Sequence, residues 1–328
     1  MLELGSELIS SDIIAFYELI KNAFDAGSKS GADIFFNVVL RRNAYLQLRT
    51  RALASKEALT TGLDRTKREQ ASLADLTGDV MRLLDVSAGP ESVEAVRMEI
   101  AKASTLEAFV DQLDEAYSAF NTIEIADSGS GMSLEELTAN YLTIGTPSRK
   151  REVDRSIAAG DSRSPFLGEK GIGRLSVMRL GERLHLITAR AQDSRYNVLD
   201  VNWKMFRDIE AMVEDIQIEP RHGARKETTA WSGTRLQIGD LAEDWTEKRV
   251  RELAEYDFAR IIDCFLDAKK RPRIAIHWNG NRIAIPWMDR TLIEHAHAMF
   301  KGKYVIEGAE PQLRVEMEAY NLGFPHPR

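Results

Sequence analysis

The sequence predicts an α/β protein, a two-layer α/β sandwich in which helices pack on one face of a mixed, largely antiparallel sheet. Strand-like runs rich in β-branched and aromatic residues recur between short turns, and amphipathic helical segments at 12–26 and 245–268 flank them. Short connections are typical of antiparallel pairing, and the helices need a sheet face on which to bury their apolar sides. The strand-like runs lie at 32–41, 121–127, 183–191, 195–203, 213–219 and 233–239.

The composition bounds the class of protein. The chain has 328 residues, of which 44% are apolar and 29% charged, and these ordinary values exclude general disorder. A formal net charge of −7 argues against a protein that coats nucleic acid with its whole surface, so any DNA contact must be regional. The single cysteine, Cys264, excludes an internal disulfide. No signal peptide and no run of ~20 apolar residues is present, so we expect a cytoplasmic protein without a membrane partner.

Residues 12–26 predict a helix with a chemically distinctive face. Glu18, Asn22 and Asp25 recur at i, i+4 and i+7, which places them on one side of the helix. A separate apolar stripe is expected to hold the helix against the sheet, so the polar face would line something other than the core. This stripe consists of Ile13, Tyr17, Ile20 and Phe24. Two carboxylates and an amide suit a metal-bound phosphate, although periodicity alone is equally compatible with a solvated face.

Two glycine-rich segments lie further along the chain. The first is Asp127-Ser-Gly129-Ser-Gly131-Met132, after a strand-like run, and the second is Gly168-Glu-Lys170-Gly171-Ile172-Gly173, before a short apolar helix. Backbone N–H groups just before a helix N-terminus favour phosphate. No Gly-Lys-Ser/Thr follows the glycines as in a Walker loop, and a dinucleotide-binding fingerprint would place them after the first strand.

In this order, the segments resemble the GHKL superfamily of ATPases, named for gyrase, the heat-shock chaperone of about ninety kilodaltons, histidine kinases and MutL. Glu18-x-x-x-Asn22-x-x-Asp25-Ala26 is similar to the family's N box, and Asp127-x-Gly129-x-Gly131 to its adenine-binding loop. Gly168-x-x-Gly171-x-Gly173 is similar to the glycines at the end of the ATP lid, and Gly233-Thr234 to the closing strand motif. Four short patterns in family order are specific, whereas any one recurs by chance.

The resemblance implies the Bergerat ATP-binding fold, with ATP and Mg²⁺ bound. Glu18 would polarise the attacking water, and Asn22 would ligate Mg²⁺ through its amide oxygen. Asp127 would accept a hydrogen bond from the exocyclic amine of adenine with help from Thr234, while Gly129 and Gly131 would allow close backbone approach. The residues expected to bind the nucleotide or its metal ion are Asn22, Asp25, Ala26, Asp127, Gly129, Gly131, Met132, Gly168, Lys170, Gly171, Ile172, Gly173 and Thr234.

The expected domain organisation is an ATP-binding domain at 1–240 and, at 241–328, a C-terminal helix with a partial transducer-like α/β segment. Residues 43–119 are rich in helix formers and predict an insertion of two or three helices, either packed on the core or protruding as a partner-docking arm. Residues 146–167 are polar and aperiodic and are identified with the ATP lid. The strand-like run at 313–319 has no evident partner strand.

The expected function is a Mg²⁺-dependent ATPase whose lid closure and nucleotide-dependent homodimerisation drive a protein partner through the insertion. The glycine run and the long lid resemble the MORC-related and chaperone-like bacterial branches, which suggests a DNA-associated or antiphage-defence role, although no pattern supports a DNA contact. A nucleotide-gated scaffold without significant turnover is the alternative. A histidine-kinase-type phosphotransfer domain fits less well, since those proteins usually carry Lys near the position of Asp25.

Overall fold

In the computed structural model, the described residues are 11–59, 64–138, 176–206, 219–261, 273–286, 298–307 and 310–319. The expected lid at 146–167 and the glycine segment at 168–173 lie outside these ranges. The described residues form an eight-stranded sheet and a separate two-stranded ribbon, together with helices. None of the described helices has the length and apolar character required to cross a membrane.

The large sheet has the strand order β5-β4-β3-β6-β2-β1-β7-β8. Its strands are β1 (Ala32–Asn37), β2 (Thr122–Asp127), β3 (Gly181–Ala189), β4 (Arg195–Asn202), β5 (Arg221–Arg225), β6 (Gly233–Leu241), β7 (Ile274–Trp278) and β8 (Asn281–Ile283). The β1–β7 pair is parallel, and the other neighbouring pairs are antiparallel. The predicted α/β class with a mixed, largely antiparallel sheet is therefore confirmed. Of the strand expected at 213–219, residues 213–218 lie outside the described residues, and the next described strand, β5, begins at Arg221.

The described helices fall into two groups, one on the sheet and one in the insertion. They are α1 (Asp12–Asp25), α2 (Arg42–Glu57), α3 (Arg65–Leu83), α4 (Pro90–Ala101), α5 (Leu106–Phe120), the one-turn α6 (Leu134–Glu136), α7 (Ser176–Leu180) and α8 (Glu247–Glu252). After α8 the chain continues as a π turn and a 3-10 turn to Arg260. The helix expected to run from 245 to 268 is therefore irregular over its described part.

Helix α1 packs its apolar side against the sheet, but not the side that the sequence pattern indicated. The buried apolar residues are Ala15, Phe16, Leu19, Ile20 and Ala23. Of the expected stripe only Ile20 is buried, and Tyr17 is exposed. The buried face is rotated by about a quarter turn from the expected one, which leaves Glu18 on the far side of the helix and Asn22 at the edge of the buried face. The small residues Ala15 and Ala23 are not part of the expected stripe of larger apolar residues, although they let the helix approach the sheet closely.

An aromatic cluster joins α1 to the segment after β6. The ring of Phe16 lies 5.6 Å from that of Phe36 on β1, 5.8 Å from Trp245 and 5.8 Å from Phe258, measured between centroids. Phe36 and Trp245 also contact each other, at 5.0 Å. Because these four rings are buried, α1, β1 and residues 245–258 share one hydrophobic core.

The insertion contains four described helices, α2 to α5, rather than the two or three expected, and the longest has 19 residues. Local signals explain the extra break: Pro90 occupies the start of α4, and the hydroxyl of Thr105 caps α5 by accepting a hydrogen bond from Ala108 N at 3.1 Å. The helices enclose a second core of their own, which includes Leu48, Leu76, Val80, Phe109 and Leu113.

The insertion leaves the sheet after β1 and returns before β2. Asn37 pairs with Thr122 at this end of the two strands, whereas Ala32 pairs with Asp127 at the other end. Six residues of strand separate the two ends, a distance of about 20 Å. The helical insertion and the loop that follows Asp127 therefore lie at opposite ends of the central strands.

The buried side chain of Asn121 fixes the base of the insertion. Its amide oxygen accepts hydrogen bonds from Val39 N and Leu40 N, both at 2.9 Å, and its amide nitrogen donates to Tyr117 O at 2.9 Å. Asn121 is 1% exposed, so water cannot replace these bonds. One side chain thus satisfies the backbone where the chain leaves β1 and where α5 ends.

We expect Asn121→Ala to lower the free energy of unfolding by about 2–4 kcal/mol, because two buried N–H groups would lose their acceptor. Denaturant unfolding, followed by circular dichroism, measures this loss. Asn281→Ala, at the exposed start of β8, is the control and should change stability by less than about 0.5 kcal/mol. Equal stability of the two variants would contradict the anchoring role.

The C-terminal part of the described chain is a two-stranded ribbon. Strand β9 (Ala298–Glu307) pairs antiparallel with β10 (Glu310–Ala319), with Tyr304 opposite Leu313 and Phe300 opposite Met317. The expectation that 313–319 lacks a partner strand was therefore wrong, because the pairing strand begins at a segment whose alternation was not recognised. One face of the ribbon is apolar and exposed, and it carries Phe300, Tyr304, Leu313, Val315 and Met317.

Candidate nucleotide-binding site

Three neighbouring strands bring polar side chains to the same end of the sheet. Asp127, the last residue of β2, pairs with Thr234 on β6, and Thr234 pairs with Thr188 on β3. The carboxylate of Asp127 accepts a hydrogen bond from Gly129 N at 2.7 Å and a second from the backbone of Thr234. Strand register therefore fixes the position of this carboxylate.

Burial raises the pKa of Asp127 to about 6, and the hydrogen bonds from the backbone of Gly129 and Thr234 act in the opposite direction. An ionised carboxylate offers about four acceptor positions, so two backbone donors leave capacity for a further donor. A ligand amine would favour the ionised form and compensate for its burial. The exocyclic amine of adenine has the required donor chemistry, so the site fits an adenine nucleotide.

The glycines of the 127–132 loop are required by the protein's own packing. A Cβ atom at Gly129 would lie 2.6 Å from Ala26 Cβ, and one at Gly131 would lie 1.9 Å from Ala189 O. Gly131 also has a φ angle of 66°, which side chains rarely allow. The close approach expected at these glycines is therefore made first to the ends of α1 and β3, which holds the loop in place beside Asp127.

Serine side chains join the loop after α1 to the loop after β2. The hydroxyls of Ser30 and Ser128 lie 2.6 Å apart, and Ser128 N donates to the hydroxyl of Ser28 at 3.0 Å. Ser130 N donates to Ala26 O at 2.9 Å. The C-terminal end of α1, with Ala26, is thus attached directly to the 127–132 loop.

The polar face of α1 extends from this junction. Glu18, Asn22 and Asp25 are all partly exposed; Glu18 and Asp25 lie away from the buried face of the helix, and Asn22 lies at its edge. With a rise of 1.5 Å per residue, Glu18 lies about 12 Å along the axis from Ala26. This distance is of the order of the length of a nucleoside triphosphate, so one ligand could contact both Asp127 and the Glu18 end of the helix.

Thr188 is a central residue of the site that the sequence analysis missed. Its side chain is 0% exposed, and its hydroxyl donates to Gly233 O at 2.9 Å, accepts from Met132 N at 3.0 Å and lies 3.1 Å from the hydroxyl of Thr234. Met132 O in turn accepts a hydrogen bond from the side chain of Asn197 at 2.9 Å. The available signal was a polar residue at a core-facing strand position, in alternation with Leu184 and Leu186.

A charge cluster around the buried carboxylate of Asp12 fixes the other end of α1. Asp12 accepts from Arg179 Nε on α7 at 2.9 Å and from Arg249 Nη2 on α8 at 2.6 Å. Glu243 lies within 3.6 Å of Arg179 and 3.4 Å of Arg249, and Arg249 also stacks over the ring of Trp245. Helices α7 and α8 are thereby both bound to the helix that carries Glu18.

The structure brings together most of the predicted site residues in the described ranges. Ala26, Asp127, Gly129, Gly131, Met132 and Thr234 meet at one end of the sheet, with Asp25 adjacent, while Asn22 and Glu18 follow along α1. Gly168, Lys170, Gly171, Ile172 and Gly173 lie outside the described residues.

Comparison with protein families agrees with this arrangement. The family described as "Histidine kinase-, DNA gyrase B-, and HSP90-like ATPase" matches residues 100–234, a span that runs from the end of α4 to Thr234. A comparison with curated proteins found no match. Over the matched span, the chain is similar to the GHKL superfamily of ATPases. Helix α1 precedes the matched span, and its assignment as the N box rests on its motif.

We expect Thr188→Val to weaken nucleotide binding and to lower the free energy of unfolding by about 1–3 kcal/mol, because Met132 N would lose its buried acceptor while the side-chain volume is kept. Calorimetry with an ATP analogue and denaturant unfolding measure the two effects. Thr228→Val, in an exposed turn, is the matched control. Unchanged affinity in a folded Thr188→Val protein would show that this bond does not shape the binding loop.

Proposed function

We propose that the chain binds ATP with Mg²⁺ and hydrolyses it, and that lid closure over the nucleotide promotes homodimerisation and acts on a protein partner. The observation that carries this proposal is the half-buried Asp127 carboxylate, held by strand register beside Thr188 and Thr234, with the polar face of α1 leading away from it. The family match over 100–234 supports nucleotide binding by the same loop.

The proposed role of Asp127 is to recognise adenine. The carboxylate accepts hydrogen bonds and offers no proton when ionised, so it selects a base edge that carries an amine donor. The hydroxyl of Thr234, 3.1 Å from that of Thr188, is available to assist directly or through a water molecule. Discrimination would be strong because a base without the donor would leave a buried acceptor unpaired.

The proposed phosphate end of the site is the part of α1 between Glu18 and Asn22 together with the 168–173 glycine segment. The amide oxygen of Asn22 is a hard donor that suits Mg²⁺, which commonly takes its remaining ligands from phosphates and water. No three metal-binding side chains cluster in the ranges that the structure describes, so phosphate oxygens would have to complete the coordination. Bound Mg²⁺ neutralises charge on the phosphates. Lys170 and the N–H groups of Gly171 and Gly173 are proposed to bind the phosphates.

Glu18 is proposed to orient the attacking water and to accept its proton. The side chain is 28% exposed, so it is open to water while its helix is anchored by a buried face. A nucleotide-gated scaffold would not need a carboxylate at this position, and Glu18 therefore favours turnover over binding alone. Hydrolysis limited by lid movement would be slow.

The insertion is the proposed partner-docking surface. It lies at the opposite end of the central strands from Asp127, and it exposes large apolar side chains, among them Val86, Met98 and Leu53. A DNA-associated or antiphage-defence role is a further proposal that rests on the resemblance to the MORC-related and chaperone-like bacterial branches.

We expect Glu18→Gln to keep ATP binding and to lose turnover by about 10²- to 10⁴-fold, because the amide keeps the size of the side chain and removes the base. Phosphate release and calorimetry measure the two quantities. Light scattering with a non-hydrolysable ATP analogue should show a dimer for both proteins. Glu57→Gln on the exposed end of α2 is the control. Binding without turnover in the wild-type protein would favour the scaffold.

Nucleotide affinity should fall as the pH decreases through about 6. Burial raises the pKa of Asp127 to about 6 in the free protein, and a bound amine donor favours the ionised form. Below this pH the carboxyl group must therefore release its proton before the nucleotide binds. Below this pH we expect about a tenfold loss of affinity per pH unit. Because the pKa of Asp127 is raised in the folded protein, protonation of this residue stabilises the folded state increasingly as the pH falls from about 6 towards 4. A loss of affinity in this range would therefore not result from unfolding caused by Asp127.

Asp127→Asn tests the assignment directly. The amide would present an N–H group to the donors that surround this position, so we expect weak binding without the pH dependence centred near 6. Calorimetry between pH 5 and 8 with an ATP analogue provides both results. Asp64→Asn, exposed at the start of α3, should behave as the wild type. Wild-type affinity in Asp127→Asn would refute adenine recognition by this residue.

A further inference from the structure

Lys21 lies on α1 with its side chain largely shielded from solvent. Its side chain is 12% exposed, and its Nζ lies 3.8 Å from Glu18 Oε1. Removing an ammonium group from water costs free energy unless an opposite charge is near. Within the part of the chain that the structure describes, Glu18 is the carboxylate at ion-pair distance from Lys21. The carboxylate of Glu18, the proposed base, therefore stabilises the charge of Lys21 in this largely buried position.

The geometry of the pair suits a base that must stay free to bind water. Lys21 follows Glu18 by three residues and precedes Asp25 by four, which places it on the same side of the helix. A separation of 3.8 Å is too long for a hydrogen bond, so the ammonium attracts the carboxylate by charge alone. The carboxylate keeps its acceptor positions for a water molecule.

We propose that Lys21 is a positioning residue that holds the Glu18 carboxylate towards the nucleotide site in the orientation needed to align the attacking water. This inference rests on the proposed function of Glu18. Without the ammonium, the partly exposed Glu18 side chain could rotate into solvent, and fixing it during the reaction would cost conformational entropy. A small displacement of a catalytic group can reduce a rate by about 10²-fold.

A second pair in the same molecule provides a matched comparison. Lys248 Nζ lies 3.8 Å from Glu252 Oε1, the same separation, but the side chains of this pair are 85% and 53% exposed. Solvent and salt screen such a pair, and both side chains remain free to move. The two pairs share this distance but differ in burial, and also in spacing and order along the helix, i,i+3 with Glu first against i,i+4 with Lys first. The burial of Lys21 is the property that would let it restrict the Glu18 rotamer.

The test combines turnover, binding and stability. Lys21→Met keeps much of the aliphatic stem and removes the charge. We expect kcat to fall by about 10- to 100-fold, with the Kd of a non-hydrolysable ATP analogue and of ADP changed by less than about threefold. Lys21→Arg should recover part of kcat, and Lys248→Met should match the wild type. A double-mutant cycle of Lys21→Met with Glu18→Gln should give non-additive shifts in the denaturation midpoint. The corresponding cycle of Lys248→Met with Glu252→Gln should give additive shifts.

The outcomes separate this proposal from the proposed function. Unchanged kcat in Lys21→Met, or additive midpoint shifts at 18 and 21, would overturn the positioning role. A loss of affinity for the ATP analogue but not for ADP would also overturn it, since Lys21 would then be a phosphate ligand. If the wild-type protein shows no turnover while the coupling at 18 and 21 is present, the pairing stands and the proposed hydrolysis fails.

Discussion

The pairing of β2, β6 and β3 at the Asp127 end of the sheet is the constraint on which the site depends. Gly233 must be a glycine there, because a Cβ atom would lie 2.1 Å from Asp127 O. The carbonyl oxygen of Gly233 accepts a hydrogen bond from the hydroxyl of Thr188, and the same hydroxyl accepts a hydrogen bond from Met132 N. One buried hydroxyl therefore fixes both sides of the loop. The proposed base-binding position at Asp127 therefore depends on backbone geometry, and a change of strand register would disrupt it.

Much of this could be predicted from the sequence, because local patterns specify it. The alternation of 121–127, the glycines that follow Asp127, and the spacing of Glu18 and Asn22 are all local. Thr188 was missed because its partners are brought to it by strand register, which single-sequence patterns do not reveal. The buried face of α1 was predicted wrongly for a related reason. The helix has two possible apolar faces, and contacts of Phe16 with Phe36 and Trp245, which are distant in sequence, determine which face is buried.

Helix α1 joins the elements that would have to move together during a nucleotide cycle. Its C-terminal end is attached to the 127–132 loop through Ala26, and its N-terminal end is held by the charge pairs of Asp12. One of these pairs leads to α7, which follows the 168–173 glycine segment, and the other leads to α8, beyond the last strand of the site. Because the ion pairs of Asp12 connect α1 to both α7 and α8, a movement of α1 would be passed to both helices.

The position of the insertion adds a geometric requirement to any such transmission. About 20 Å of strand separates Asp127 from the base of the insertion, and Asn121 fixes that base to the sheet with three buried hydrogen bonds. A signal from nucleotide to partner would therefore have to pass through the sheet or around it. The second route has a physical basis at Ser87, whose hydroxyl accepts from Trp278 Nε1 and Asn279 Nδ2 at 2.9 Å and so links the α3–α4 connection to the β7–β8 turn. Since β7 pairs directly with β1, which shares its core with α1, movement of α1 could reach the insertion without disturbing the Asp127 register.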